Sequence, residues 1–191
     1  MLSIKEQKIK LRLEIKELRA RTSNIDYQKK NDCIKKILFS FIEQQNAEII
    51  HCYLSMNDQF EVNTFPVITR LLQLGKTVVV PLMVGNTLEH SQLFSINDLR
   101  KNSWGVLEPK ITYKIDINRI DLIFVPLLGV DLNGNRLGYG KGYYDKFLIS
   151  SEALKIGLVF EEFVYDEIPF EQHDIKLDGI ISEKEVRFLQ P

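Results

Sequence analysis

The chain has 191 residues, 45% of them hydrophobic and 27% charged, with a formal net charge of −1. That composition is ordinary for a globular domain able to bury a core without disulfide staples, and the longest apolar run, around 122–130, is too short to cross a bilayer. Cys33 and Cys52 show no CxxC or Cys/His spacing and read as a buried thiol pair in a reducing compartment. The amino terminus has no signal-peptide pattern, so the cytoplasm is the expected location. Residues 1–36 carry eleven Lys/Arg against five Asp/Glu, a balance of +6, which leaves −7 for the rest. A basic amino-terminal segment meets an anionic ligand, a nucleic acid or only water. Aromatic residues do not interleave with these charges, so neither nucleic acid nor membrane is an expected partner.

Leu2 and Ser3 followed by Ile4, Leu11, Ile15 and Leu18 predict a helix with one apolar stripe. Lys8 and Arg12, four apart, stand on the same face of it. A second helix over about 26–45 should turn Ile34, Ile37, Leu38, Phe41 and Ile42 inward. Residues 48–54 read as a buried strand, with His51 a packed core residue. Residues 63–74 return to helical spacing and stop at Gly75, and 76–82 form a β-branched strand. Gly85-Asn86 marks a turn before a strand at 88–94, followed by a short helix at 95–101 and a loop at 103–110. The clearest strand signal is 121–126; a glycine-rich stretch follows, then a helix over 141–151 and strands at 155–160 and 177–182. Strands alternating with helices predict an α/β fold: a single-domain three-layer sandwich over 1–191, with a mostly parallel, Rossmann-like sheet and helices on both faces.

In open α/β sheets ligands sit beyond the carboxyl ends of the strands, and RLGYGKGYYDKF (136–147) occupies such a place. Gly138, Gly140 and Gly142 alternate with Tyr139 and Lys141. Glycines let backbone N–H groups approach an anion, and a helix starting at the end of the loop adds its positive dipole end. Arg136 and Lys141 supply charge for phosphate oxygens, and Asp145 is placed to ligate the Mg2+ that accompanies a triphosphate. The stretch is not a P-loop, because GxxxxGK[ST] needs Gly at 135, which is Asn, and Ser or Thr at 142, which is Gly. GxGxxG starting from Gly138 ends on Tyr143 and also fails. A flexible turn with a surface lysine and a packed Tyr143–Tyr144 pair fits the same composition.

The stretch VPLLGVDLNGNRLGYGKGYYDKFL (125–148) resembles the signature of the 5-formyltetrahydrofolate cyclo-ligase family. KIKLR (8–12), YLSMNDQFEVNT (53–64), GKTVVVPLM (75–83), WGVLEP (104–109) and PFEQHDIKLDGIISE (169–183) extend the likeness, in order, along nearly the whole chain. Tyr139 departs from it, standing where the family often has arginine. The resemblance implies an enzyme that uses ATP and Mg2+ to close 5-formyltetrahydrofolate to 5,10-methenyltetrahydrofolate, releasing ADP and phosphate. It further implies that Lys8 and Arg12 reach the nucleotide phosphates. Arg136, Leu137, Gly138, Tyr139, Gly140, Lys141, Gly142, Tyr143 and Tyr144 would wrap the triphosphate, with Lys141 and Arg136 steadying the transferred group. Asp145 and Asp174 would hold Mg2+, with Asp178 the second choice for the latter. Met56, Glu61 and Tyr143 would contact the folate, and Trp104 is an added candidate for stacking on its flat ring. Each has a plainer counterpart: Met56 and Trp104 as core filling, Glu61 as a helix-start acid, Asp174 as a turn cap. The expected partners are these two small molecules, for a monomer or weak dimer. A phosphate-handling isomerase or CoA transferase, or a protein that only sequesters folate or nucleotide, remains compatible with the residues taken alone.

Overall fold

The computed structural model describes residues 2–85, 87–102 and 105–189. Helices α1 (Ile4–Arg21) and α2 (Asn24–Gln44) lead into β1 (Ile49–Cys52), α3 (Phe65–Gln73), β2 (Thr77–Val84) and β3 (Thr87–Leu93). Next come β4 (Leu99–Lys101), β5 (Leu107–Pro109), β6 (Leu122–Val125), β7 (Gly129–Asp131) and β8 (Arg136–Leu137). The chain continues through α4 (Tyr143–Leu148), β9 (Leu154–Leu158), β10 (Val164–Tyr165), β11 (Gly179–Ile181) and β12 (Val186–Phe188). Ser3 starts α1 with a reciprocal cap: its hydroxyl accepts from Glu6 N, and the Glu6 carboxylate accepts from Ser3 N at 2.8 Å. Beyond α3, Gly75 takes a left-handed φ of 73°, which stops the helix where the spacing predicted.

The main sheet runs β12-β11-β9-β6-β1-β2-β3. Its five inner strands are parallel, and only the edges β3 and β12 are antiparallel. All four residues of β6 are buried, as a strand covered on both sides requires. The path β1–α3–β2 steps one way across the sheet and β6–α4–β9 steps the other. Right-handed crossovers in opposite directions put α3 and α4 on opposite faces, giving the three layers expected. Between β1 and β6 the winding reverses, so the loops leaving their carboxyl ends diverge and leave a crevice.

Several local expectations change. Ile4 and Leu18 are 45% and 48% exposed, and the buried face of α1 is instead Lys8, Ile15 and Arg19. The reason is the partner: α1 lies along the 127–138 segment, where Ile15 meets Gly129 and the cations find backbone carbonyls and carboxylates. A hydrophobic stripe therefore misreads this face. Residues 95–101 form only a 3-10 turn (Ile96–Asp98) before β4, and β4 pairs with β5 inside the stretch expected to be a loop. Strands of three residues are too short to show a period of two. The β7–β8 hairpin with β10 beside it, and the edge strand β12, also escaped the sequence reading. The helix expected over 141–151 is confined to Tyr143–Leu148. Ser103 and Trp104 lie outside the described residues. The thiols are not a buried pair, because Cys33 is exposed; Cys52 is buried, which pushes its thiol pKa up.

His51 is a core residue as expected, wholly buried, with its ring centroid 5.2 Å from His90 and 4.9 Å from Phe147. Among the described residues, neither ring nitrogen of His51, nor Nδ1 of His90, has a hydrogen-bond partner. Burial holds His51 well below its ordinary pKa and His90 down to about 4. An unfolded chain protonates histidine near 6.5, so as pH falls from that value toward 4 the unfolded state binds more protons and stability drops. Allowing for the part of it that faces solvent, His90 alone accounts for on the order of 2 kcal/mol of this loss, and His51 adds to it in the same direction. Melting temperature followed against pH should fall across this interval, and His90→Gln should flatten the decline; a wild-type profile flat down to pH 5 would contradict it.

Candidate functional site

A cleft of about 450 Å³ opens at the carboxyl ends of β1, β2 and β6. One end is built by the glycine-rich segment between β8 and α4. Gly140 and Gly142 have φ of 93° and 67°, a region that side chains disfavour, so the backbone here needs glycine. A Cβ on Gly140 would also lie 3.2 Å from the Arg12 guanidinium carbon. Arg12 fixes the loop by donating from Nε to Gly138 O at 2.8 Å. Burial lowers the Arg12 pKa, and the nearby Asp174 and Glu171 work against that.

The four cations of this cleft have different commitments. Lys8 is nearly buried and donates to Glu171 at 2.8 Å and Asp174 at 2.5 Å. Burial alone would raise the Asp174 pKa, but Lys8 and the Glu171 N–H outweigh it and hold the carboxyl below its usual value. Arg136, 7% exposed beneath the loop, donates from Nη2 to Asp145 Oδ1 at 2.5 Å. Arg12 is engaged as described. Lys141 is exposed and has no hydrogen bond or ion pair among the described residues.

The opposite end is apolar. Tyr53, Leu54, Pro81, Leu82, Met83 and Leu107 line it, with Met56 half-buried at its edge. Within this wall sits Glu61, 4% exposed. Its Oε2 accepts from Met56 N at 2.7 Å and its Oε1 from the Tyr139 hydroxyl at 2.5 Å. Burial pushes the Glu61 pKa up, and Tyr139, Met56 N and Arg19 pull against it. The 53–64 segment is folded back by Thr64 Oγ1 donating to Tyr53 O at 2.7 Å and Tyr27 OH to Glu61 O at 2.8 Å. Glu61 is thus no helix-start acid: α3 begins at Phe65, and the carboxylate turns away to Met56 and Tyr139.

Most expected site residues meet in this one cleft: Lys8, Arg12, Met56, Glu61, Arg136, Gly138 through Tyr144, Asp145 and Asp174 all line it. Leu137 does not; it is 1% exposed and pairs with Gly129 in the hairpin. Asp178 is also elsewhere, accepting from Lys155 N at 2.7 Å at the start of β9. Tyr139 lines the cleft, but its hydroxyl serves Glu61 and not the phosphate end. Arg136 is neutralised by Asp145 and presents no unpaired charge.

A family model described as the 5-formyltetrahydrofolate cyclo-ligase family matches residues 4–183. A mouse protein named 5-formyltetrahydrofolate cyclo-ligase is 31% identical over 188 residues, covering 91% of this chain and 92% of its own length. The chain belongs to the 5-formyltetrahydrofolate cyclo-ligase family. A Haemophilus influenzae protein of the same name is 28% identical, with 92% and 97% of the two chains aligned. The solved structure of Aquifex aeolicus 5,10-methenyltetrahydrofolate synthetase superposes with a TM-score of 0.86 at 28% identity, over 96% of this chain and 93% of that one. The family is one of ligases, so this chain is an enzyme of that class.

The sequence resemblance implied Mg2+ at this cleft, and the donors here suit a hard cation. Protein hydrogen bonds fall on Oδ1 of Asp145 and on Oδ2 of Asp174, leaving one oxygen of each carboxylate unengaged among the described residues. Mg2+ typically takes one or two carboxylates and fills its shell with water and phosphate oxygens. Ile175 N donates to Asp145 Oδ1 at 3.3 Å, which ties the two acidic segments together. Ligand atoms of Glu171, His173 and Asp174 lie within 4.8 Å of one another, so Glu171 is a further oxygen donor that the sequence reading overlooked. It also overlooked Arg19, Tyr53 and the Pro81–Met83 wall. Only the helical spacing 8, 12, 15, 19 pointed to Arg19, and a cation in that row resembles a solvated face.

Proposed function

We propose that the chain, acting as one domain over 1–191, catalyses the ATP- and Mg2+-dependent cyclisation of 5-formyltetrahydrofolate to 5,10-methenyltetrahydrofolate, releasing ADP and phosphate. The observation that carries this reading is the pairing, in one cleft, of a glycine loop with an uncommitted lysine and an apolar end holding a buried carboxylate. A formyl amide is a poor electrophile, and its oxygen leaves badly as hydroxide. Phosphorylation of that oxygen converts it into a phosphate leaving group, and N10 of the folate then attacks the carbon and closes the ring. Such a reaction needs positioning and charge stabilisation more than a nucleophilic side chain.

In this reading the amides of Gly138–Gly142 and the Arg12 and Lys8 side chains hold the polyphosphate, and Lys141 meets the transferred group. Arg136 acts through Asp145, holding its carboxylate aimed at the cleft. Asp145 and Asp174, with Glu171 beside them, would hold Mg2+, which supplies charge neutralisation at the phosphate oxygens. Glu61 takes two adjacent N–H donors of the pterin edge, and Met56 and Tyr143 flank the ring. The partners are the folate and ATP, for a cytoplasmic monomer or weak dimer. Among the described residues no helix is long and apolar enough to cross a membrane.

Purified protein mixed with 5-formyltetrahydrofolate, ATP and Mg2+ should develop the near-ultraviolet band of methenyl folate, and omission of ATP should abolish it. Binding of folate without product would favour sequestration, and silence toward both ligands would favour an isomerase-like relative. Asp174→Asn should raise the Mg2+ concentration needed for half-maximal turnover about tenfold, the loss of one charged ligand; an unchanged metal titration would remove Asp174 from the metal site.

A further inference from the structure

Glu61 is one end of a hydrogen-bonded row that crosses from α1 to the cleft. Arg19 is 4% exposed and enters beneath the hairpin. Its Nη2 donates to Leu127 O at 2.9 Å and Leu128 O at 3.2 Å, and its guanidinium stacks over Phe163 with the carbon 5.2 Å from the ring centroid. Nη1 reaches Gln59 O and the Tyr139 hydroxyl, each at 3.5 Å. Arginine has donors only, so the single hydroxyl proton of Tyr139 is directed away from Arg19 and onto Glu61 Oε1. Burial raises the Tyr139 pKa, so the phenol keeps that proton.

The row also decides which lone pairs of Glu61 remain. Tyr139 occupies one on Oε1 and Met56 N one on Oε2. One acceptor site per oxygen is left, a pattern matched by two parallel N–H donors on a flat ring edge. We propose that Tyr139, oriented by Arg19, is a positioning residue that holds Glu61 as a carboxylate with one lone pair of each oxygen open to paired N–H donors. This rests on the folate reading of Glu61, and it moves Tyr139 from the phosphate loop to the folate side of the cleft. Other titratable groups face Glu61: Tyr27 from α2, Tyr53 after β1, Asp58 from a second 3-10 turn (Asn57–Gln59), and Tyr144 from α4. Of these, Asp58 opposes ionisation of Glu61, while Tyr139, Met56 N and Arg19 favour it.

The test is equilibrium titration with 5-formyltetrahydrofolate, without ATP or metal, across pH 5 to 8, together with ATP affinity at neutral pH. Affinity of the wild-type protein should weaken toward acid as Glu61 takes a proton. Tyr139→Phe keeps the ring and removes the donor to the carboxylate, so Glu61 protonates more readily. Its folate Kd at pH 7 should rise about tenfold, and the acid limb should move to higher pH, with ATP affinity unchanged. Glu61→Gln should bind folate weakly with no limb at all. If Glu61→Gln weakens folate binding while Tyr139→Phe retains the wild-type limb, the positioning role is wrong and the folate reading stands. If Tyr139→Phe weakens ATP instead of folate, the residue belongs to the phosphate site. A wild-type folate profile in Glu61→Gln overturns both the folate reading and this inference.

Discussion

Lys141→Ala is expected to lower kcat about a hundredfold or more while leaving the melting temperature within a degree or two of wild type. Lys8, Arg12 and Arg136 each have an assigned partner in the protein, whereas Lys141 has none among the described residues and projects from the loop into the cleft. A cation without a ground-state commitment can meet charge that develops during transfer with no salt bridge to break first. Removing one donor that meets the transition-state charge typically costs about 3 kcal/mol, which is the rate loss expected here. Because Lys141 is exposed and contributes no contact to the core, folding should not register the change. Lys141→Arg should recover only part of the activity, since a planar fork cannot take the place of a compact ammonium at a single oxygen. The measurement is steady-state turnover with saturating ATP and folate, alongside a thermal melt. Near-normal kcat in the alanine variant would take Lys141 off the reaction path and leave the loop a binding element only.

The contrast between Lys141 and its neighbours shows what the sequence could and could not convey. The strand before the loop, the three glycines and the helix after it follow directly from composition and spacing, and they locate the cleft. The parallel inner strands were equally legible, because β2 and β6 are apolar runs that only a doubly covered sheet accommodates. The commitments of the charged side chains were not legible. Lys8 and Asp174 are 166 positions apart, and no local pattern says that they neutralise each other. Tyr139 reads as a phosphate-loop residue from its neighbours in sequence, yet its ring turns through the loop to meet Glu61, 78 positions earlier. Arg19 was hidden for a different reason. A hydrophobic periodicity search rewards Ile4 and Leu18, whereas the surface that α1 covers is a hairpin rich in carbonyl groups, for which arginine is the better complement. The short strands β4, β5, β7 and β8 lie below the length at which alternation is readable, so the sheets they build appear only in three dimensions.

Lys8→Met should produce the largest change in stability, and its metal dependence should be informative. Lys8 holds Glu171 and Asp174 together, and its own side chain is 7% exposed. Methionine fills a similar volume but leaves two neighbouring carboxylates facing each other with no cation between them. Breaking the largely buried Lys8–Asp174 pair by removing the cation costs about 3 kcal/mol, to which the solvated Glu171 adds nothing. For a chain of this length that corresponds to a fall of roughly 6–12 °C in Tm. Asp174, held below its ordinary pKa by Lys8, contributes stability above the unfolded carboxyl value near 3.9 and loses it as pH falls below that value. In Lys8→Met that contribution disappears, so the Tm deficit should persist from neutral pH down to about 4 and shrink only below it. Millimolar Mg2+ should then raise Tm more in the variant than in the wild type, because the ion no longer competes with an ammonium for the same oxygens. Equal Mg2+ increments in the two proteins would mean that Lys8 and the metal do not share these carboxylates. Turnover should fall as well, and adding Mg2+ should restore stability without restoring turnover, since the ammonium that would leave the carboxylates for the incoming phosphates is gone.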